Sequence, residues 1–425
     1  MIKNDSRTGH YAALAILPLT LADATWRLVD NEFSVWGGAI IALVLRWTAA
    51  FLLVRGIHPA VSISLRTGES AGLAIIKIFI VLNIASLLRG ILDISDYWDL
   101  RYIALDFCFT VVAPLAAFSV NSWVASRALS SFIKLIPFYF IALPFSLDNN
   151  TELFPRVVAP VSLLVLFASY RSRQAVVATV GVALISLLLD ISYRTNDVRI
   201  VFSLAVAVGG ALGLFYGALG PIRKGVFAFA LASIFLAPLV FLSLGVSGRY
   251  NVFDPPSTTA TEASITLFGK EPKAPLDADS RTFLYEEVFA SMIRRDESFI
   301  FGGGAGSGYD SIAFSDTFLN NRGRIATEVG FLNVLMSSGL LAVLLYFAVL
   351  LVASVRGVFQ SRNSLARMIG FFVAIRWVIF FFEDIPAFDL NQLSIWFSIG
   401  LCMSRKFCEM SECELRETFG YNISK

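Results

Sequence analysis

Charged residues are scarce in this sequence. Asp, Glu, Lys and Arg make up 16% of the 425 residues, whereas hydrophobic residues make up 56%. The mean hydropathy is +0.71, which lies outside the range of soluble globular proteins. This composition predicts a chain that spends most of its length in a lipid bilayer.

Histidine and cysteine are also few, which argues against a metal centre or a disulfide framework. The two histidines are His10 and His58, and none of the four cysteines lies between 247 and 328. Cys408 and Cys413 lack the CxxC spacing of a zinc site. We therefore expect no structural disulfide, no metal and no other cofactor.

The glycine-rich run F-I-F-G-G-G-A-G-S-G-Y-D at 299–310 lacks the features of a nucleotide-binding loop. A dinucleotide fingerprint needs glycines at positions i, i+2 and i+5, and no start within the run satisfies this spacing. No Gly-Lys-Ser/Thr follows it, which excludes a P-loop. The alternative is a hinge or joint, since glycine adopts backbone conformations closed to other residues.

Long apolar runs recur along the chain, separated by short polar breaks. A spanning helix needs about 20 predominantly apolar residues, and these runs predict an all-α polytopic integral membrane protein with about twelve transmembrane helices. The predicted spans lie at 11–26, 35–54, 71–88, 102–122, 132–147, 157–170, 175–192, 199–219, 226–246, 329–352, 367–382 and 390–404.

Lys and Arg predict the orientation of these spans. With the N-terminus inside, they collect in the inner loops, whereas the outer loops are acidic or mixed, as the positive-inside rule requires. Both termini are then cytoplasmic. The chain divides into transmembrane helices one to nine (1–246), a large outer loop (247–328), helices ten to twelve (329–404) and a cytoplasmic tail (405–425).

The outer loop contains a second pattern. In S-R-T-F-L-Y-E-E-V-F-A-S-M-I-R-R, which begins at 280, apolar residues recur at helical spacing and charged residues lie off that face. This predicts an amphipathic helix at about 280–296 that lies on the outer membrane face or packs on the bundle. The predicted helix ends in the glycine-rich run. Its alternative role is that of a lid or an interfacial support, and either is compatible with any function.

Arginines and a carboxylate on the predicted outer face are the candidates for chemistry. A guanidinium group presents a planar charged fork that matches phosphate oxygens, so several near a membrane suggest a phosphorylated lipid. The alternative for each is an interfacial anchor or an ion-pair partner. Glu328 is either a catalytic carboxylate or a structural partner of Arg324, four residues earlier on one helical face. The candidate arginines are Arg194, Arg199, Arg281, Arg322 and Arg324.

The order of motifs after residue 280 resembles the C-terminal signature of the bacterial O-antigen polymerase and O-antigen ligase superfamily. S-R-x-x-x-Y opens the amphipathic helix, the glycine-rich run follows, and E-V-G-F-L-N-V-L-M-S-S-G-L-L-A leads into the tenth span. A large late outer loop and a small arginine-bearing loop before it also match. The resemblance covers roughly 190–355 at the level of motifs and the rest by topology.

The resemblance implies a metal-independent glycosyltransferase of a bacterial cell inner membrane with its active face in the periplasm. Its donor would be an undecaprenyl-pyrophosphate-linked oligosaccharide. Arg281 and either Arg199 or Arg194 match the arginines thought to bind the pyrophosphate. Ligases carry a histidine where this chain has Glu328, which favours a polymerase. Membrane lipid, a chain-length regulator and a flippase are the expected partners, and no nucleic acid is expected.

The chemistry assigns two roles. Fixed arginines, here Arg281 with Arg199, stabilise the departing diphosphate without a metal. A carboxylate, provisionally Glu328, accepts the proton of the attacking sugar hydroxyl. Attack opposite the leaving group would invert the anomeric centre.

Three alternatives stay open. The first is an O-antigen ligase-like glycan transferase of the same superfamily. The second is a polytopic transporter or flippase of lipid-linked oligosaccharide, which should show related halves, although the chain has no evident internal repeat. The third is a non-catalytic membrane scaffold, for which Arg281→Ala would leave activity intact.

Overall fold

The structure is a computed structural model and describes part of the chain. The described residues are 11, 14–22, 25, 35–64, 70–94, 99–100, 102–104, 108–119, 131, 166–167, 177, 180–181, 184, 222–246, 282–310, 324–382 and 388–419. Within these ranges the regular structure is helical, and the extended pairing is a single antiparallel bridge between Tyr309 and Arg324.

The main helices are taken here in chain order. They are α1 (Val35–Ser64), α2 (Ser70–Leu92), α3 (Arg223–Val246), α4 (Thr282–Arg294), α5 (Gly330–Phe359), α6 (Ser364–Phe382), α7 (Leu390–Met403), α8 (Arg405–Glu409) and α9 (Glu412–Phe419). A further helical stretch is built from Cys108–Val112, Ala113–Leu115 and Ala116–Ser119.

Four of the described helices are long and apolar enough to cross a membrane. They are Gly72–Leu92, Arg223–Leu244, Gly330–Phe359 and Ser364–Phe382, and the shorter apolar helix Leu390–Met403 follows them. A bilayer core about 30 Å thick needs about 20 residues, which each of the four nearly reaches or exceeds. The described part of the chain is therefore that of an all-α membrane protein.

Six of the described helices overlap predicted spans and differ from them mainly at their ends, namely α1, α2, α3, α5, α6 and α7. The tenth predicted span, 329–352, becomes the 30-residue helix α5, because the helix continues through polar residues to Phe359. The spans predicted at 132–147 and 199–219 lie outside the described residues. Those at 157–170 and 175–192 lie almost entirely outside them.

Helix α5 lies in the middle of the described bundle and packs against α2, α6 and α7. An aromatic cluster marks this contact. The ring centroid of Tyr346 lies 5.8 Å from that of Phe79, 4.8 Å from that of Phe380 and 5.8 Å from that of Trp396. Such buried rings contribute large apolar areas to the core. The cluster fixes α5 relative to three neighbours, which matters because α5 carries the candidate site.

Helix α4 rests on the ends of α5 and α6. Its residues Leu284, Val288 and Met292 are buried, which is the apolar face of the amphipathic pattern. The hydroxyl of Tyr285 donates to the carbonyl of Phe381 over 2.7 Å. The sequence left open whether this helix lies on the outer membrane face or packs on the bundle, and the structure shows it packed on the bundle.

Candidate functional site at a broken helix

A break in α5 at Gly339 organises the candidate site. Gly339 has φ 76° and ψ −179° inside the helix, a conformation open almost only to glycine. In a continuous helix the amides of Leu340 and Leu341 would donate to the carbonyls of Met336 and Ser337, four residues earlier. The break separates these two amides from these two carbonyls, so all four groups need other partners.

The segment 299–304, which belongs to the glycine-rich run, supplies those partners. The two amides after the break donate to the carbonyls of Phe299 and Ile300 over 2.8 and 3.2 Å. The two carbonyls before the break accept from the amides of Gly303 and Gly304 over 2.8 and 3.1 Å. The backbone groups released by the break are thus all hydrogen-bonded, as buried backbone groups must be.

The glycines allow this close pairing of backbones. Gly302, Gly304 and Gly306 have φ of 68°, 111° and 83°. A β-carbon on Gly302 would lie 2.6 Å from the carbonyl oxygen of Met336, and one on Gly308 would lie 2.8 Å from that of Arg324. The run is therefore packed backbone, hydrogen-bonded on both sides, in contrast to the freely moving hinge considered from the sequence.

The end of α2 holds the other side of the run. The amide of Ala305 donates to the carbonyl of Ser86 over 3.0 Å. The guanidinium group of Arg89 donates to the carbonyl of Gly302 over 3.1 Å and to that of Phe301. Since a charged donor strengthens a hydrogen bond, Arg89 acts as a clamp on the run.

The C-terminus of α4 positions a carboxylate beside the run. Asp296 has φ 52°, and the amide of Glu297 donates to the carbonyl of Met292 over 3.0 Å. This is the Schellman pattern that commonly ends a helix with a left-handed residue. It turns the chain so that Glu297 lies against Gly303, where a β-carbon would stand 2.8 Å from its carboxyl carbon.

These elements enclose a cavity of about 480 Å³. The backbone of the glycine-rich run from Gly303 to Gly308 forms one wall, and the end of α2 with the segment after it forms another. The charged side chains in the lining are Asp93, Asp99, Arg295, Glu297 and Asp310. Its size is typical of a small-molecule site, and its charge is predominantly negative.

The charged residues of the cavity differ in their pairing. Arg295 donates to the carbonyl of Gly308 over 2.7 Å and forms an ion pair with Asp310. In contrast, the Oε2 atom of Glu297 is buried and has no hydrogen-bond partner among the described residues. Burial raises the pKa of Glu297, Arg295 opposes this rise and Asp310 adds to it. Such a carboxyl group binds its proton more tightly than an ordinary glutamate.

Arg324 and Glu328 lie beside the cavity. The backbones of Arg324 and Tyr309 exchange two hydrogen bonds of 2.8 Å, and the Arg324 guanidinium group lies 3.7 Å from the Glu328 carboxylate. Burial raises the pKa of the Tyr309 hydroxyl, although the Arg324 charge opposes it. Arg324 and Glu328 were expected to share one face of a helix. The segment between them is instead irregular, because α5 begins only at Gly330.

The structure thus brings two of the predicted site residues together. Glu328 is 51% exposed and, like Arg324, is not part of the cavity lining, which includes their neighbour Ile325. The other candidates lie outside the described residues. They are Arg194, Arg199, Arg281 and Arg322.

The sequence reasoning did not single out Glu297, Arg295 or Asp310. A signal was present, because all three flank the glycine-rich run within a short distance in sequence. Close packing of the glycine-rich run also fixes the positions of the charged residues next to it in the sequence. Asp93 and Asp99 belong to the outer loops that the sequence marks as acidic or mixed, a pattern that gives no indication of their position opposite the run.

Among the described residues, no group of three or more His, Cys, Asp and Glu side chains is arranged to hold a metal ion. Helices and cavity together define a helical membrane protein with a carboxylate-lined pocket at the ends of its spans. Comparisons with protein-family models, curated proteins and solved structures find no match to this chain.

Proposed function

We propose that the protein is a polysaccharide polymerase of the O-antigen type, which transfers a glycan from undecaprenyl pyrophosphate onto another lipid-linked repeat unit. The observation that supports this most is the carboxylate-lined cavity at the ends of α2 and α5. Arg324, one of the arginines expected to bind the pyrophosphate, lies beside this cavity, next to the lining residue Ile325. This position supports a polar ligand at the cavity with a phosphorylated lipid bound beside it.

The cavity suits the acceptor sugar better than the donor diphosphate. Carboxylates accept hydrogen bonds from sugar hydroxyl groups, which are good donors. A diphosphate would be repelled by Asp93, Asp99 and Glu297, because like charges at short range disfavour each other. The diphosphate is therefore assigned to arginines outside the cavity.

In this proposal the leaving group is held by arginine. Arg281 and Arg199, with Arg194, Arg322 and Arg324 as further candidates, would stabilise the charge that develops on the departing pyrophosphate. The bond between the anomeric carbon and the phosphate oxygen breaks as the acceptor oxygen attacks. Its electrons leave with undecaprenyl pyrophosphate, and the anomeric centre is inverted.

The proton of the attacking hydroxyl needs an acceptor, and two carboxylates are candidates. Glu328 is half-exposed, lies outside the cavity lining and is paired with Arg324. Glu297 lines the cavity, and its raised pKa makes it a better proton acceptor than an ordinary glutamate. We therefore assign the base to Glu297 and keep Glu328 as the alternative.

The proposal carries a location and partners with it. The cavity would face the periplasm from a bacterial inner membrane, with both termini in the cytoplasm. A flippase would deliver the lipid-linked repeat unit, and a chain-length regulator would limit the product. Membrane lipid surrounds the helices.

Reconstitution with a purified lipid-linked repeat unit tests the proposal. We expect a ladder of glycan products in the absence of nucleotide sugar, and its loss in Arg281→Ala and Glu297→Gln. Glu328→Gln should retain the ladder if Glu297 is the base. Arg416→Ala, an exposed arginine of α9, is the matched control for Arg281→Ala. An absolute need for a nucleotide sugar or a divalent ion would contradict the proposal.

A second candidate is favoured by the break in α5. Discontinuous membrane helices beside a substrate site are typical of transporters, so a flippase of lipid-linked oligosaccharide fits this feature. An assay in proteoliposomes distinguishes the two functions. A flippase moves the lipid-linked glycan across the bilayer without lengthening it, whereas a polymerase or ligase forms a new glycosidic bond.

A further inference from the structure

Large apolar side chains project from the last turn of α4 and from the segment that leads to the glycines. Ile293 is 68% exposed, Phe299 36%, Ile300 57% and Phe301 49%. We call these four residues the apolar ridge. They are not part of the cavity lining, so the segment 299–306 presents apolar side chains to the outside and its later backbone to the cavity.

The ridge is continuous with the exposed face of α5. The amides of Leu340 and Leu341 bond to ridge carbonyls, and the side chains of both residues are exposed, as is Leu344 one turn further along. Because α5 is long and apolar enough to cross a membrane, this exposed leucine face is where lipid chains are expected. The ridge extends that face beyond the helix break.

The length of α5 gives the depth of the ridge. From Leu340 to Phe359 the chain has about 20 residues, which at about 1.5 Å each span about 30 Å, the thickness of a bilayer core. Arg356 in the last turn marks the opposite end of this stretch. The break at Gly339, and the ridge bonded to it, therefore lie at one edge of the hydrocarbon core.

The backbone of the ridge meets the condition for such a position. Non-helical backbone is tolerated at membrane depth where it is packed against protein or lines a water-filled cavity, and segment 299–306 packs on α5 and α2 and lines the cavity. Here the carbonyls of Phe299 and Ile300 accept from α5 amides, and those of Phe301 and Gly302 accept from Arg89. Four successive carbonyls are thus bonded while the side chains of the first three project outwards.

We infer that the apolar ridge is inserted into the hydrocarbon edge of the lipid bilayer, so that segment 299–306 is a wall with lipid on one side and the cavity on the other. Transfer of the Ile and Phe side chains from water to hydrocarbon provides the driving force. This inference does not depend on the proposed function. It differs from the sequence expectation, which assigned 299–306 to the large outer loop.

Spin-label accessibility in proteoliposomes tests it. The four natural cysteines are replaced, and single cysteines are introduced as Ile293→Cys, Ile300→Cys and Phe301→Cys for labelling. Leu344→Cys on the exposed face of α5 is the lipid control, and Glu286→Cys on the exposed side of α4 is the water control. Collisions with oxygen report lipid, and collisions with a water-soluble nickel chelate report solvent.

We expect the oxygen-to-nickel accessibility ratio at the ridge positions to approach that at 344 and to exceed that at 286 severalfold. A ratio at two or more ridge positions equal to that at 286 would overturn the inference. Each labelled variant is compared with the unlabelled protein in size-exclusion profile, and the three ridge positions guard against one variant that fails to fold. Glycan synthesis is not part of the readout, so failure here is distinct from failure of the proposed function.

Discussion

The backbone of Gly339 lies directly against the backbone of Ile300. A β-carbon on Gly339 would overlap the Ile300 carbonyl group and lie 2.5 Å from the amide nitrogen of Phe301. The contact joins the break in α5 to the segment that follows α4. It explains why the S-S-G-L-L sequence of α5 contains a glycine at this point.

Gly339→Ala should therefore destabilise the protein. Strain at this backbone conformation costs about 1–3 kcal/mol, and the overlap with Ile300 adds to it. Thermal unfolding in detergent should show a clearly lower midpoint. Gly225→Ala is the control, because a β-carbon there meets nothing within 4 Å and alanine favours a helix interior. An unchanged midpoint in Gly339→Ala would contradict the tight backbone contact.

Arg89→Ala should loosen the glycine-rich run. Arg89 donates to the carbonyls of Phe301 and Gly302, and hydrogen bonds to charged groups contribute about 1.5–3 kcal/mol. The amides of Gly303 and Gly304 should then exchange with deuterium about tenfold faster or more, since about 1.4 kcal/mol is a factor of ten. Lys224→Ala, which removes an exposed basic residue of α3, should leave their exchange unchanged.

Glu297 should make both activity and stability depend on pH. Its pKa is raised in the folded protein, so as a base it loses activity when the pH falls through that raised value. Glycan synthesis should show this acidic limb, and Glu297→Gln should abolish synthesis at every pH. Glu297→Asp keeps a carboxyl group, so it should retain part of the activity, and that activity should still fall as the pH falls.

The free energy of unfolding changes with pH in the direction opposite to activity. Between the unfolded pKa and the raised folded pKa, the folded protein binds more protons than the unfolded one, so the free energy of unfolding falls as the pH rises. Glu297→Gln removes this loss and should unfold at the same or a higher temperature than the natural protein near neutral pH. A variant that loses activity because it misfolds would instead unfold at a lower temperature.

The amino-acid sequence by itself determined the class of protein and the positions of its main described helices. The predicted spans 71–88 and 226–246 correspond to Ser70–Leu92 and Arg223–Val246, because hydropathy is a property of one segment and needs no partner. The amphipathic spacing after residue 280 likewise indicated the helix Thr282–Arg294. In both cases the signal lies within the residues that form the element.

Only the tertiary structure decided the site. The helix break at Gly339 is invisible in a continuous apolar run, because it depends on the carbonyls of Phe299 and Ile300, which arrive from another part of the chain. The raised pKa of Glu297 depends in the same way on burial and on its charged neighbours. Such properties arise from pairs of segments brought together by folding, so no local pattern in either segment can carry them.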